Sequence, residues 1–198
     1  MAKQDNTVGY SICKEGNQYI VHYNSKSEFF NAIGTLEVGI NKSIKPYFSK
    51  IGIMIDCARN GVPNIKWLKR FIITIAFSGY NYLGLYFEDC LEVEGEKLFG
   101  YMRGRFTKEE IKEIVAFADN FGVEIFPYIQ TLAHLQRLFN HWYPYVDEMK
   151  DVFDIIMVDE PRTYTMIENV IKTCSKCFSS RRIHIGMDEA PLMLLGEL

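Results

Sequence analysis

The chain has 198 residues, 48% hydrophobic and 24% charged, with 14 Phe and 12 Tyr, the make-up of an ordinary globular protein with an ample core. A formal net charge of −3 gives no general attraction to nucleic acid or to a membrane surface. The opening Met1-Ala2-Lys3-Gln4-Asp5-Asn6 lacks an apolar signal region and no run reaches transmembrane length, so the expectation is a cytoplasmic protein with neither nucleic acid nor membrane as partner.

The chain begins with a hairpin pattern. Tyr10–Cys13 and Gln18–Tyr23 flank the turn Lys14-Glu15-Gly16-Asn17. Ser25 to Ser27 offers capping side chains, and Phe29, Phe30, Ile33, Leu36 and Val38 then recur near helical spacing. One hairpin and one helix cannot bury much alone, so residues 1–45 read as the remnant of a small α+β domain.

From residue 51 strands alternate with helices, in a second domain taken as residues 46–198. Ile51–Asp56 is a short apolar run of the kind covered on both faces. Pro63 is expected to open a helix through Ser78, with Ile65, Leu68, Ile72, Ile75 and Ala76 on one side and Gly79 closing it. Tyr82–Phe87 is the second strand, and Thr107 with Glu110 forms a capping box for a helix reaching Phe121 and Gly122. Val123–Tyr128 is the third strand. Residues 135–160, with Trp142, Tyr143 and Pro144, suggest a long excursion on one rim, and a helix over 162–178 precedes a closing strand Arg182–Gly186.

Such alternation implies parallel pairing through right-handed crossovers. A full (β/α)8 barrel needs roughly 250 residues, so residues 46–198 hold about half a barrel or a small complete sheet, and the pattern alone leaves both open.

The five cysteines, Cys13, Cys57, Cys90, Cys174 and Cys177, are odd in number and scattered, which suits a reducing compartment. The Cys174-x-x-Cys177 pair has no second pair or His pair at zinc spacing and lies late in a helix, so two half-buried thiols are expected, with no metal and no cofactor. Cys57–Gly61 is not a phosphate-binding glycine loop.

In parallel α/β folds, functional side chains gather at the C-terminal ends of strands. Those ends carry Asp56 and Arg59, then Glu88 and Asp89, then Gln130 and His134, then Asp188 and Glu189. Taken singly, each could be a solvated loop residue or a structural ion pair. Four in succession favour a polar pocket suited to a neutral polyol, with acids to accept hydroxyl hydrogen bonds and an arginine to donate.

Asp56–Pro63 resembles the first-strand motif of family 20 glycoside hydrolases, the β-N-acetylhexosaminidases, and His184–Ala190 resembles that family's fourth-strand acid motif. Gly79–Asn81, Leu85–Asp89, Phe99–Gly104 and Gln130–His134 match in the same order, most closely in the intracellular bacterial branch. The resemblance implies the first four β/α units of a (β/α)8 barrel and removal of terminal N-acetylhexosamine by a substrate-assisted, retaining mechanism. It assigns Glu189 as general acid and then base, and Asp188 as the group orienting the 2-acetamido substituent. Arg59 and His134 become sugar contacts, with Glu88 or Asp89 supporting the same network.

The likeness stops after Ala190, where Pro191–Leu198 departs from the family pattern, so the expectation is a chain truncated after the fourth strand. Exposed barrel edges then make self-association a further expectation. The alternative is a non-catalytic fragment that keeps part of a carbohydrate pocket.

Overall fold

The computed structural model describes residues 1–6, 8–141 and 143–193, with the side chains of residues 143 and 144 also outside the description. The suggestion attached to Trp142 and the run 194–198 lie outside the described residues. The chain forms two compact units. One comprises Met1–Ile53, Asn64–Leu83 and Ile114–Ile125; the other comprises Met54–Pro63, Gly84–Glu113 and the chain from Phe126 onward.

In the first unit, β2 (Tyr10–Glu15) and β3 (Gln18–Tyr23) form the expected antiparallel hairpin. A strand with no signal in the sequence, β1 (Ala2–Gln4), pairs parallel to β3. Ser25 caps α1 (Lys26–Glu37) with a complete capping box through Glu28. Tyr10, Ile12, Val21 and Ala32 form the buried cluster of this unit, joined by Phe29 and Leu36.

Strands β4 (Gly52–Asp56), β5 (Tyr82–Tyr86) and β6 (Glu124–Tyr128) form a three-stranded sheet in that order. Its strands are parallel, as in a partial barrel. Helix α2 (Ile65–Phe77) connects the first two strands, and α3 (Lys108–Asn120) lies in the second connection. α2 starts two residues later than expected. Asn64 is its cap, accepting from the Trp67 N–H, while Pro63 stands outside; an Asx cap satisfies a donor that proline leaves alone. The Thr107–Glu110 box at α3 is present in both directions, at 2.9 and 3.1 Å.

Two further corrections concern the outer lanes of the sheet. β4 is not covered on both faces, since Met54 is 51% exposed, and among the described residues it pairs with β5 alone. The closing strand is reduced to a single parallel bridge, Tyr128 with His184. Three backbone bonds still tie that lane to the chain after β6: His184 N–H to Pro127 O at 3.0 Å, Ile129 N–H to His184 O at 2.9 Å, and Thr131 N–H to Gly186 O at 3.2 Å.

The rim excursion contains the short helices α4 (Gln136–His141) and α5 (Tyr143–Val146) and one 3-10 turn. Helix α6 (Pro161–Cys177) follows, with Glu160 as its cap and Pro161 at its first position. Cys174 and Cys177 are both buried rather than half-buried, because they share the inward face of α6 with Met166, Val170 and Thr173. Burial pushes the Cys174 thiol up to about 12, which suits an inert packing residue.

Candidate active site

The residues at the strand ends come together in the second unit as two groups. The first is built around Arg59. Asp56 ends β4, and its Oδ1 accepts from the N–H groups of Ala58 at 2.9 Å and Arg59 at 3.0 Å, turning the chain sharply off the strand. The guanidinium is then fixed from three directions. Nε lies 3.2 Å from Glu88 Oε1, one terminal nitrogen 3.4 Å from Asp56 Oδ2, and the other donates to the Tyr86 hydroxyl at 3.1 Å. Its charge also lies over the Tyr86 ring, 4.9 Å from the centroid.

Tyr86 is the junction of this group. Its hydroxyl accepts from Arg59 and from Gln130 Nε2 at 3.0 Å and donates to Glu88 Oε1 at 3.3 Å. Burial, with the Glu88 carboxylate adding to it, pushes the Tyr86 phenol up to about 12, so the hydroxyl stays a donor. Burial also raises the Glu88 carboxyl above its ordinary value, with the Arg59 charge opposing.

Asp89 goes elsewhere. It is buried, and Arg103 Nε donates to its Oδ1 at 3.1 Å while the same guanidinium reaches Ala58 O at 3.0 Å. Asp89 therefore braces the loop carrying Arg59 from behind. Arg103 was visible only as a member of the segment Phe99–Gly104; nothing in that spacing indicated its partner.

The second group is His134 with the acid pair. His134 Nε2 lies 3.8 Å from Asp188 Oδ2 and 3.6 Å from Glu189 Oε2. The imidazole is largely covered, whereas the two carboxylate side chains are 60% and 78% exposed. Gly186, at φ +55°, starts the turn that delivers them. Below the turn the Tyr128 ring stacks on His184 at 4.4 Å between centroids and 23° between planes, and Gly84 leaves the space that ring occupies, since a β-carbon there would be 2.3 Å from Tyr128 Cε2.

Glu88, His134 and Glu189 all hold left-handed backbone, at φ +45°, +62° and +53°. Five non-glycine residues in the described chain do so, and three of them are strand-end candidates. Such conformations cost of order 1–3 kcal/mol each and collect where surrounding structure must aim a side chain. Among the described residues no three His, Cys, Asp or Glu side chains converge to hold a metal ion, and no helix is long and apolar enough to cross a membrane.

A second ionic cluster, unmarked in the sequence, lies away from the strand ends. Glu96 is buried and accepts from Arg162 at 2.7 Å, from Asn169 Nδ2 at 2.9 Å and from the Tyr145 hydroxyl. The bonds from Arg162 and Asn169 tie the loop after β5 to α6.

Residues 48–193 match the sequence model of the glycosyl hydrolase family 20 catalytic domain. A β-hexosaminidase of Akkermansia muciniphila is 28% identical over 178 residues, covering 76% of this chain and 36% of that protein. Human hexosaminidase D is 23% identical over 137 residues, covering 68% of this chain and 28% of its own length. The chain thus spans about a third of the length of the curated relatives it matches. The crystal structure of a family 20 exo-β-N-acetylglucosaminidase from Vibrio harveyi, in complex with N-acetylglucosamine, superimposes with a TM-score of 0.84 at 20% identity, over 96% of this chain and 38% of that one.

Proposed function

We propose, from the premise that the chain belongs to glycosyl hydrolase family 20, that it carries the acid dyad and the sugar-gripping arginine of a β-N-acetylhexosaminidase. On this reading the substrate is a saccharide ending in N-acetylhexosamine. Its own acetamido oxygen attacks the anomeric carbon, and Glu189 protonates the departing glycosidic oxygen. Glu189 then takes a proton from the water that reopens the oxazolinium ring, so the sugar leaves with its configuration retained. Asp188 accepts the acetamide N–H and stabilises the positive charge. Arg59, held by Asp56, Glu88 and Tyr86, donates to the sugar hydroxyls.

The observation that carries this reading is the approach of His134 to both acids, 3.8 and 3.6 Å away. It ties the end of the third lane to the end of the fourth, as one pocket requires. Residues 46–198 are then the N-terminal half of the catalytic domain. The thiol inventory supports an intracellular setting, and the open strand edges are where the chain would self-associate. The test is hydrolysis of an aryl N-acetylglucosaminide, with Glu189→Gln expected to lower turnover by roughly a hundred- to ten-thousand-fold. Near-normal turnover in that variant sinks the acid assignment.

A second reading, sugar binding without turnover, rests on the 60% and 78% exposure of Asp188 and Glu189. General acid catalysis works best where water is excluded. Calorimetric binding of N-acetylglucosamine by a chain that turns over no aryl glycoside decides for it.

A further inference from the structure

We propose that Arg103 is a positioning residue of the candidate site: it fixes the Ala58–Arg59 peptide and through it aims the Arg59 guanidinium. The proposal rests on the reading of Arg59 as the group that donates to the sugar hydroxyls. Half of the Arg59 side chain is exposed, at 52%, so packing does little to fix where its stem leaves the backbone. The peptide at that root is instead held at both of its polar groups. Its N–H, from Arg59, donates to Asp56 Oδ1 at 3.0 Å, and its C=O, from Ala58, accepts from Arg103 Nη2 at 3.0 Å. The N–H and C=O of a trans peptide point opposite ways across one rigid plane. Two bonds pulling on opposite sides stop that plane from turning, and the Arg59 stem with it.

Arg103 is itself oriented before it reaches Ala58. Its side chain is 15% exposed and that of Asp89 is 1% exposed. Its Nε and Nη2 both lie 3.1 Å from Asp89 Oδ1, and Nη2 also reaches Cys90 Sγ at 3.5 Å. The planar fork of a guanidinium lets one side chain serve a carboxylate and a carbonyl together, which an ammonium cannot copy. The backbone around it is bent to make this delivery. Met102, next to Arg103, holds left-handed backbone at φ +58° although its own side chain is 85% exposed. Burial of Met102 therefore does not offset that strain; the contacts of Arg103 do. A β-carbon at the nearby Gly100 would run into the Asp89 carbonyl oxygen, so the loop lies directly against the strand end. The two acids just beyond β5 thus divide one task. Glu88 holds the tip of Arg59, while Asp89 holds Arg103, which holds its root.

The test reads the peptide and the ligand separately, on the full chain. In hydrogen exchange followed by mass spectrometry, Arg103→Ala should speed exchange of the Ala58 and Arg59 amides by about tenfold or more, with α6 unchanged. In hydrolysis of an aryl N-acetylglucosaminide the same variant should raise KM by roughly ten- to a hundred-fold and change kcat less. In an Arg59→Ala chain it should raise KM no further, because a residue acting through Arg59 has nothing left to aim. A mere loop anchor would affect both backgrounds alike. If Arg103→Ala loses its far-UV circular dichroism, Asp89→Asn with Arg103→Gln replaces it: both buried charges go, and the shorter Gln does not reach Ala58 O. A parent chain without turnover sinks the glycosidase reading, and the exchange result then decides this proposal alone. Unchanged exchange at Ala58 and Arg59, exchange speeded equally in α6, an unchanged KM, or an equal rise in the Arg59→Ala chain would overturn it.

Discussion

Gly186 and Gln130 stand so close that a β-carbon at position 186 would lie 2.4 Å from Gln130 Oε1, and equally close to the Ile129 carbonyl oxygen. Glycine is therefore required there twice over, for its φ of +55° and for the missing atom. Gly186→Ala should push the lane off its neighbour and destabilise the chain by roughly 1–3 kcal/mol, a typical overpacking cost. Thermal melting checks this, and an unchanged melting temperature would mean that the lane is not held against residues 129–131.

Tyr86 organises the arginine side of the site through one oxygen. Tyr86→Phe leaves the donors of Arg59 and Gln130 without this acceptor, and Gln130 Oε1 is already a buried acceptor without a hydrogen-bond partner among the described residues. A loss of about 1–3 kcal/mol follows from stranding a buried amide. Calorimetric affinity for N-acetylglucosamine should fall with it, because Arg59 is freer to move. Stability and affinity equal to those of the parent chain would refute the junction role.

Much of this architecture is legible in the sequence. The hairpin, three of the four sheet lanes and the Thr107–Glu110 box follow from local pattern, because turn chemistry, alternation and caps act over a few residues. The order Arg59, Glu88-Asp89, His134, Asp188-Glu189 was legible because parallel strands deliver their C-terminal ends to one rim. What escaped notice is long-range or conformational. Arg103 reaches Asp89 across 14 positions and Arg162 reaches Glu96 across 66, separations no window detects. Strand β1 is three residues long and fully exposed, so it has no burial pattern. The left-handed backbone of Glu88, His134 and Glu189 runs against local preference, and such exceptions concentrate where function has overridden it.

The Glu96 cluster predicts a pH dependence. Burial works to raise the Glu96 carboxyl, but hydrogen bonds from Arg162, Tyr145 and Asn169 outweigh it and hold the group below its ordinary value. A carboxyl lowered in the folded state contributes stability above its unfolded pKa, and that contribution disappears as pH falls through the folded value. The melting temperature of the parent chain should therefore drop more steeply than that of Glu96→Gln below about pH 4.5. At neutral pH Glu96→Ala should cost roughly 3–5 kcal/mol by removing the buried partner of Arg162, which among the described residues keeps only the exposed Glu148 at 4.0 Å and the Tyr145 hydroxyl. Parallel pH profiles for parent and Glu96→Gln would contradict the cluster's charge.

Glu88 and Asp89 act in the opposite sense. Burial raises both carboxyls, with Arg59 and Arg103 opposing in turn. An acid raised in the folded state favours folding below its ordinary pKa and loses that contribution as pH rises through the folded value. Glu88→Gln should therefore flatten a decline in stability on the alkaline side of the ordinary carboxylate range. A steeper decline in that variant would reverse the assigned direction.

The central claim is that the sugar's acetamido group, aimed by Asp188 and assisted by Glu189, performs the displacement. The most direct measurement compares hydrolysis of an aryl N-acetyl-β-glucosaminide with that of the matching aryl β-glucoside, which has a hydroxyl in place of the acetamide, in the parent chain and in Glu189→Gln. The account predicts turnover of the first substrate alone, with retained configuration, and its collapse in the variant. Comparable rates on both substrates, or a rate on the first that survives Glu189→Gln, would contradict it.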